Sequence, residues 1–219
     1  MDLEKKGDLD GAITILKNAQ QDAPDDPQTA KLLGRDYVLK VDDQPDVASK
    51  REFGQRGLDL TKKAAEALPQ DADAQISLAC AYGKLCDCVD PKTKIEYSKN
   101  VYANVTRGLK LDPNSDFGHL ILARWHFEMT TLNPLLKGLA QLVYGRFPPA
   151  SKEEAISHFR KAIELAPQRI VHHAEFAHVL DVLGDKNEAR KEWMTVTELK
   201  PIYAQDKRYQ AFASTQLAH

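Results

Sequence analysis

Residues 167–201 read PQRIVHHAEFAHVLDVLGDKNEARKEWMTVTELKP. Apolar side chains recur at helical spacing on both sides of Gly184-Asp185, a pair that suits a tight turn. The stretch is therefore predicted to be two helices folded back on each other, bounded by prolines that cannot continue a helix. Those prolines stand 201 − 167 = 34 residues apart. Ala177 lies ten residues after the first, and Ala189 and Trp193 lie twelve and eight before the second. Small side chains belong where two helices cross at close range, and a bulky one fills the hole beside them. One such hairpin cannot cover its own apolar face, so it requires neighbours.

The same offsets recur along the chain. Pro24, Pro69 and Pro113 join Pro167 and Pro201 as stops after helical stretches. Ten residues after the first four stand Gly34, Ala79, Ala123 and Ala177. Twelve, eight and five residues before each proline stand Ala12/Leu16/Ala19, Gly57/Thr61/Ala64, Val101/Val105/Gly108, Ala155/Phe159/Ala162 and Ala189/Trp193/Val196. Spacing and residue sizes together resemble the tetratricopeptide repeat. The expected fold is all-α, a right-handed α-solenoid of tetratricopeptide-like hairpins with an inserted short helix and a C-terminal capping helix. It forms one domain, 1–219: a partial repeat at 1–23, repeats at 27–68, 72–112, 115–166 and 168–200, an inserted helix at 134–147 and a capping helix at 202–217.

Composition sets outer limits. With 219 residues, 42% hydrophobic and 28% charged, the chain is long enough for a continuous core. A net charge of −2 gives no global pull toward nucleic acid, which is not expected as a partner. Cys80, Cys86 and Cys88 cannot pair completely among themselves, and their spacing is not that of a zinc site. Free thiols favour a reducing, cytoplasm-facing setting. No apolar run approaches bilayer length, so a membrane would be reached only through a missing N-terminal segment. The chain enters a repeat halfway, which reads as a fragment, and an apolar edge at Leu9, Ile13 and Leu16 is expected to be open to homodimerisation.

The insertion TTLNPLLKGLAQLVYGRFPPAS is not demanded by the repeat. Asn133-Pro134 can start a helix, Pro148-Pro149 can end it, and Ser151 with Glu154 reads as the capping box of the next helix. Leu135, Leu136, Leu139, Leu142 and Val143 make it apolar over most of its surface. Such a helix needs cover. It packs on the flank of its own repeat, forms the wall of a ligand groove, or dips into a membrane interface. Arg124-Trp125, this insertion, the stop from Pro148 to Ser151 and the run Glu153 to Pro167 resemble the regulator-of-microtubule-dynamics family. That resemblance implies a non-enzymatic helical-repeat domain, microtubule or organelle association, and in some members a bound phospholipid.

The first helix of each hairpin should line the concave side. Lys31 and Arg35, Ile76, Cys80 and Lys84, Leu120, Arg124 and Phe127, and His178 and Asp181 are the expected groove residues. Arg35, Lys84 and Arg124 either recognise an anionic group or pair with Asp36, Glu128 or Asp181. A peptide or protein partner in this groove is the first functional reading, and a phospholipid or fatty-acyl guest walled by the inserted helix is the alternative. Catalysis is not expected: no nucleophile elbow or phosphate loop is present, and no cofactor or metal is implied. His119 and His126 share a helical face but find no third ligand in the sequence nearby.

Overall fold

A computed structural model describes residues 8–144, 148–203 and 205–218. Among the described residues the chain forms eleven α-helices and no strand. The first eight are α1 (Leu9–Asp22), α2 (Pro27–Leu39), α3 (Val47–Ala67), α4 (Ala72–Leu85), α5 (Pro91–Leu111), α6 (Asp116–Thr131), α7 (Pro134–Tyr144) and α8 (Lys152–Leu165). They are followed by α9 (Ile170–Leu183), α10 (Lys186–Glu198) and α11 (Asp206–Leu217). Short 3-10 turns, Lys40–Asp43 and Cys86–Cys88, close α2 and α4.

Most helices start for a reason visible in the sequence. Asp26, Asp46, Asp71, Asp90, Ser115, Ser151 and Asp185 each accept a hydrogen bond from a backbone N–H of the first turn. Each thereby satisfies a donor that the helix cannot pair internally. Pro27 and Pro91 occupy first-turn positions, where no amide is needed. Between α9 and α10 the chain reverses through Gly184 at φ 91°, a left-handed conformation in which a Cβ would be strained.

Consecutive helices pack as antiparallel pairs, α2 on α3, α4 on α5, α6 on α8 and α9 on α10, each pair nesting on the next. The small residues sit where those helices meet. Ala79, Ala123 and Ala177 are fully buried, and so is Gly34 at the first crossing. The bulky partners Phe159 and Trp193 fill the adjacent space, with Phe159 stacked on Phe176 at 5.3 Å between ring centres. Trp125 donates its indole N–H to the Ser98 carbonyl at 3.0 Å, tying α6 to α5. This is the right-handed α-solenoid that the spacing of small residues predicts.

Three local expectations need correction. The edge of α1 is not open, because Ile13 packs with Leu33 and Tyr37 of α2, and Leu9 is also buried. The closing helix begins at Asp206 rather than 202, since the Asp206 carboxylate accepts the N–H groups of Ile202 and Tyr203 and holds them in a turn. Among the described residues the inserted helix packs mainly on α5 of the preceding hairpin rather than on the flank of its own repeat. Its N-terminus is set by Asn133, whose side chain accepts the Leu136 N–H at 2.9 Å. The side chain of Val143 and residues 145–147 fall outside the described set. No described helix is long and apolar enough to cross a membrane.

Candidate functional site: a latched cavity

The solenoid holds a partly open cavity of about 420 Å³ among α4, α5, α6, α9 and α11. Its walls are largely apolar: Ile95 and Val101 come from α5, Leu120, Ile121, Trp125 and Met129 from α6. The α4 and α6 residues reach this space because the first helix of each hairpin turns its exposed stripe to the concave side, and the second helix α5, packed between them, adds its own wall. Cys80 and Cys86 add soft walls, and burial pushes both thiols up, Cys86 to about 12. At neutral pH they are apolar lining, not nucleophiles.

The polar lining gathers where α11 crosses the mouth. Arg124 on α6 faces Glu175 on α9 at 3.4 Å, and Glu175 accepts the Tyr209 hydroxyl of α11 at 3.2 Å. On the opposite side Lys84 bonds Asp42, and Arg208 of α11 reaches the same carboxylate at 3.1 Å. Burial alone would raise the Asp42 pKa, but Lys84 and Arg208 outweigh it and hold the carboxyl below its usual range. Burial and the nearby Glu175 push the Tyr209 phenol far up, so it stays a donor. The contact between Arg208 and Asp42 spans 166 residues and joins the last helix to the end of the first hairpin. The concave side is therefore latched, not an open trough.

Of the ten groove residues expected from the sequence, Cys80, Lys84, Leu120 and Arg124 line this cavity. Ile76 and Phe127 are buried in the core between hairpins. Lys31 is held by Asp71 at 2.7 Å, and Arg35 lies 3.7 Å from Asp73. His178 is exposed away from the cavity. Asp181 accepts the Trp193 indole N–H at 2.7 Å and pairs with Lys186. Asp73, Asp42 and Glu175, none of which the sequence had pointed to, thus stand beside these three cations. Among the described residues, none of the inserted helix lines the cavity, and Leu135 and Leu142 face solvent at 82% and 84% exposure. Leu136 and Leu139 are half-buried.

Sequence reasoning missed Asp42, Glu175 and Tyr209. Each lies on an expected helix or its end, but their convergence depends on how far the stack curls, which no local spacing records. His119 and His126 do acquire neighbours: α8 brings His158 and Glu154 beside them.

The sequence profile described as "Regulator of microtubule dynamics protein 1-3" matches residues 1–219, the whole of this chain. The chain belongs to the regulator-of-microtubule-dynamics family. Regulator of microtubule dynamics protein 3 of Mus musculus is 24% identical over 179 residues, covering 81% of this chain and 38% of the mouse protein. Regulator of microtubule dynamics protein 2 of Homo sapiens is 24% identical over 138 residues, covering 63% of this chain and 33% of the human one. The chain thus spans well under half the length of these curated relatives. Among solved structures, a thermophilic TPR protein of Thermus thermophilus superposes with a TM-score of 0.68 at 17% identity, over 97% of this chain and 92% of that one. MamA gives a TM-score of 0.51 at 16% identity, over 97% and 95%. At such identities these likenesses speak for the fold of this family member and nothing finer.

Proposed function

We propose that this regulator-of-microtubule-dynamics family member is a non-enzymatic binding module whose cavity takes one apolar chain with an anionic end, a fatty acid or one acyl arm of a lipid. The observation that carries the reading is a largely apolar cavity, partly open, with Arg208 of α11 bridging to Asp42 at its rim, instead of a trough open along its length. A peptide bound in extended form needs such an open trough, with polar groups to meet its backbone. A small hydrophobic guest needs enclosure, apolar walls and a few placed charges. About 420 Å³ lies in the lower part of the range for small-ligand sites, room for one chain rather than two. Arg124 and Lys84 are the cations at the mouth that an incoming carboxylate or phosphate would meet. Their present partners Glu175 and Asp42 would be displaced by it.

The chain purified under native conditions should carry acyl species detectable by native mass spectrometry and solvent extraction. After delipidation it should bind oleate at one site per chain, and Arg124→Gln should weaken that binding about 10-fold, as loss of one charge-assisted contact implies. No extracted lipid together with no oleate binding would overturn this reading. The scaffold reading would then stand, and the solvent-facing Leu135 and Leu142 of α7 favour it as the place a protein partner would cover.

A further inference from the structure

Outside the cavity, the hairpin formed by α6 and α8 gathers nitrogen and oxygen donors whose lone pairs face one another. His119 Nε2 lies 3.0 Å from the Pro113 carbonyl, which can only accept, so that nitrogen carries the proton. With the rings neutral, His119 Nδ1 is then an acceptor, and His158 Nδ1, 2.8 Å away, must be the donor. This leaves His158 Nε2 with a bare lone pair. It points toward a Glu154 carboxylate oxygen at 3.8 Å, another group that only accepts when ionised. The third member is His126, 6% exposed, whose Nδ1 is buried without a hydrogen-bond partner.

Chain geometry explains the convergence. Glu154 and His158 are four residues apart on α8 and share a face. His126 comes from α6, with its ring nearly parallel to that of His158 and 5.8 Å from it. One donor atom from each of His126, Glu154 and His158 lies within 4.8 Å of the other two. The His158 lone pair and the Glu154 carboxylate repel unless something positive sits between them.

We propose that His126, Glu154 and His158 form a divalent-metal site, suited to Zn²⁺, that staples α6 to α8 at the hairpin carrying the insertion. Two imidazoles and a carboxylate are a donor set that zinc takes, with a fourth position left for solvent. Glu154 is exposed, so an ion has a path in. Metal–nitrogen bonds of about 2.0–2.1 Å place donors about 3.4 Å apart in a tetrahedral shell, so each donor needs to move inward by under about 1 Å. His119 acts as a positioning residue: it fixes the His158 tautomer, as outer-shell acceptors do for zinc-bound histidines.

The test uses the full chain without a histidine tag, stripped with chelator and titrated with ZnCl₂ by calorimetry. One ion per chain, with a rise in melting temperature on adding zinc, is the expected result. Glu154→Gln, at an exposed position that the fold does not need, should weaken binding at least about 10-fold, and His158→Asn about 100-fold. His119→Gln should cost about 10-fold while leaving one ion bound. Co²⁺ bound in place of zinc should give d–d absorption without a thiolate charge-transfer band. Absence of saturable binding would overturn the proposal. So would zinc binding that Glu154→Gln and His158→Asn both leave unchanged, or a thiolate band, which would assign the ion to Cys80, Cys86 and Cys88.

Discussion

Replacing Gly34 by alanine would test the close helix crossing on which the solenoid is built. A Cβ at Gly34 would lie 2.8 Å from Thr61 Cγ2, 2.9 Å from the Thr61 backbone nitrogen and 3.0 Å from Leu60 Cβ. The opposing Gly57 is as tightly placed, with a Cβ there 2.6 Å from Val38 Cγ2 and 3.0 Å from the Gly34 carbonyl. Alanine gains about 1 kcal/mol over glycine inside a helix from propensity alone. Overpacking a fixed core costs about 1–3 kcal/mol, and here the obstacle is backbone, which cannot rotate away. Because the obstacle includes backbone, the steric loss falls in the upper part of that range and wins, leaving Gly34→Ala destabilised by up to about 2 kcal/mol. For a domain of this size that lowers the melting temperature by up to about 8 °C. Gly138 on α7 is the control, because a Cβ there meets nothing within 4 Å. Gly138→Ala should gain up to about 1 kcal/mol. Urea unfolding followed by circular dichroism measures both. Equal signs for the two variants, or a Gly34→Ala as stable as the parent, would refute the account of how α2 and α3 meet.

Three further outcomes follow from single contacts. Asp181→Ala strands the buried Trp193 indole N–H and should cost about 1–3 kcal/mol with a change in tryptophan emission. Cys86, pushed up to about 12, should resist iodoacetamide at neutral pH until the chain unfolds, read by intact mass. His173 donates to Glu192 at 2.6 Å; burial pushes its pKa down, but that bond and the Pro167 carbonyl outweigh it and raise it. Its charged pairing thus stabilises fully below the unfolded value of about 6.5 and is lost as pH rises through the folded one. Glu192→Gln should therefore cost about 1–2 kcal/mol near pH 6 and progressively less toward pH 9, by denaturant titration at each pH.

The repeat was legible because its cause is local. A small residue at Gly34, Ala79, Ala123 or Ala177 permits one crossing, and its distance from the next proline follows from helix length alone. The cap at Ser151 was readable for the same reason: it serves an amide within three residues. The cavity was half legible. Counting along each first helix found Cys80, Lys84, Leu120 and Arg124, but it also pointed to Ile76 and Phe127, which pack against the neighbouring hairpin. The rule treats every first helix alike, whereas the length of its partner decides which stripe stays uncovered. Here α3 and α5 run to 21 residues while α8 has 14. Glu175, Tyr209 and Asp42 meet only after those unequal pairs are stacked, and no periodicity in the chain records that sum.

The closure at Asp42 is weak by design of its parts, and its weakness bears on function. Arg208 is 46% exposed and Asp42 34%, so their bridge contributes at most about 1 kcal/mol. A contact of that size cannot hold a solenoid together; the buried crossings do that. It can set how often the mouth is open, since 1 kcal/mol is a factor of about 5 in population. Arg208→Ala should therefore leave the melting temperature within about 4 °C of the parent while speeding oleate release several-fold in a stopped-flow displacement. Salt near 1 M, which shortens screening to about 3 Å, should speed release from the parent in the same direction and have little further effect on the variant. A melting temperature that collapses with Arg208→Ala would make the bridge part of the core instead. A release rate indifferent to both salt and substitution would place the entrance elsewhere than under α11.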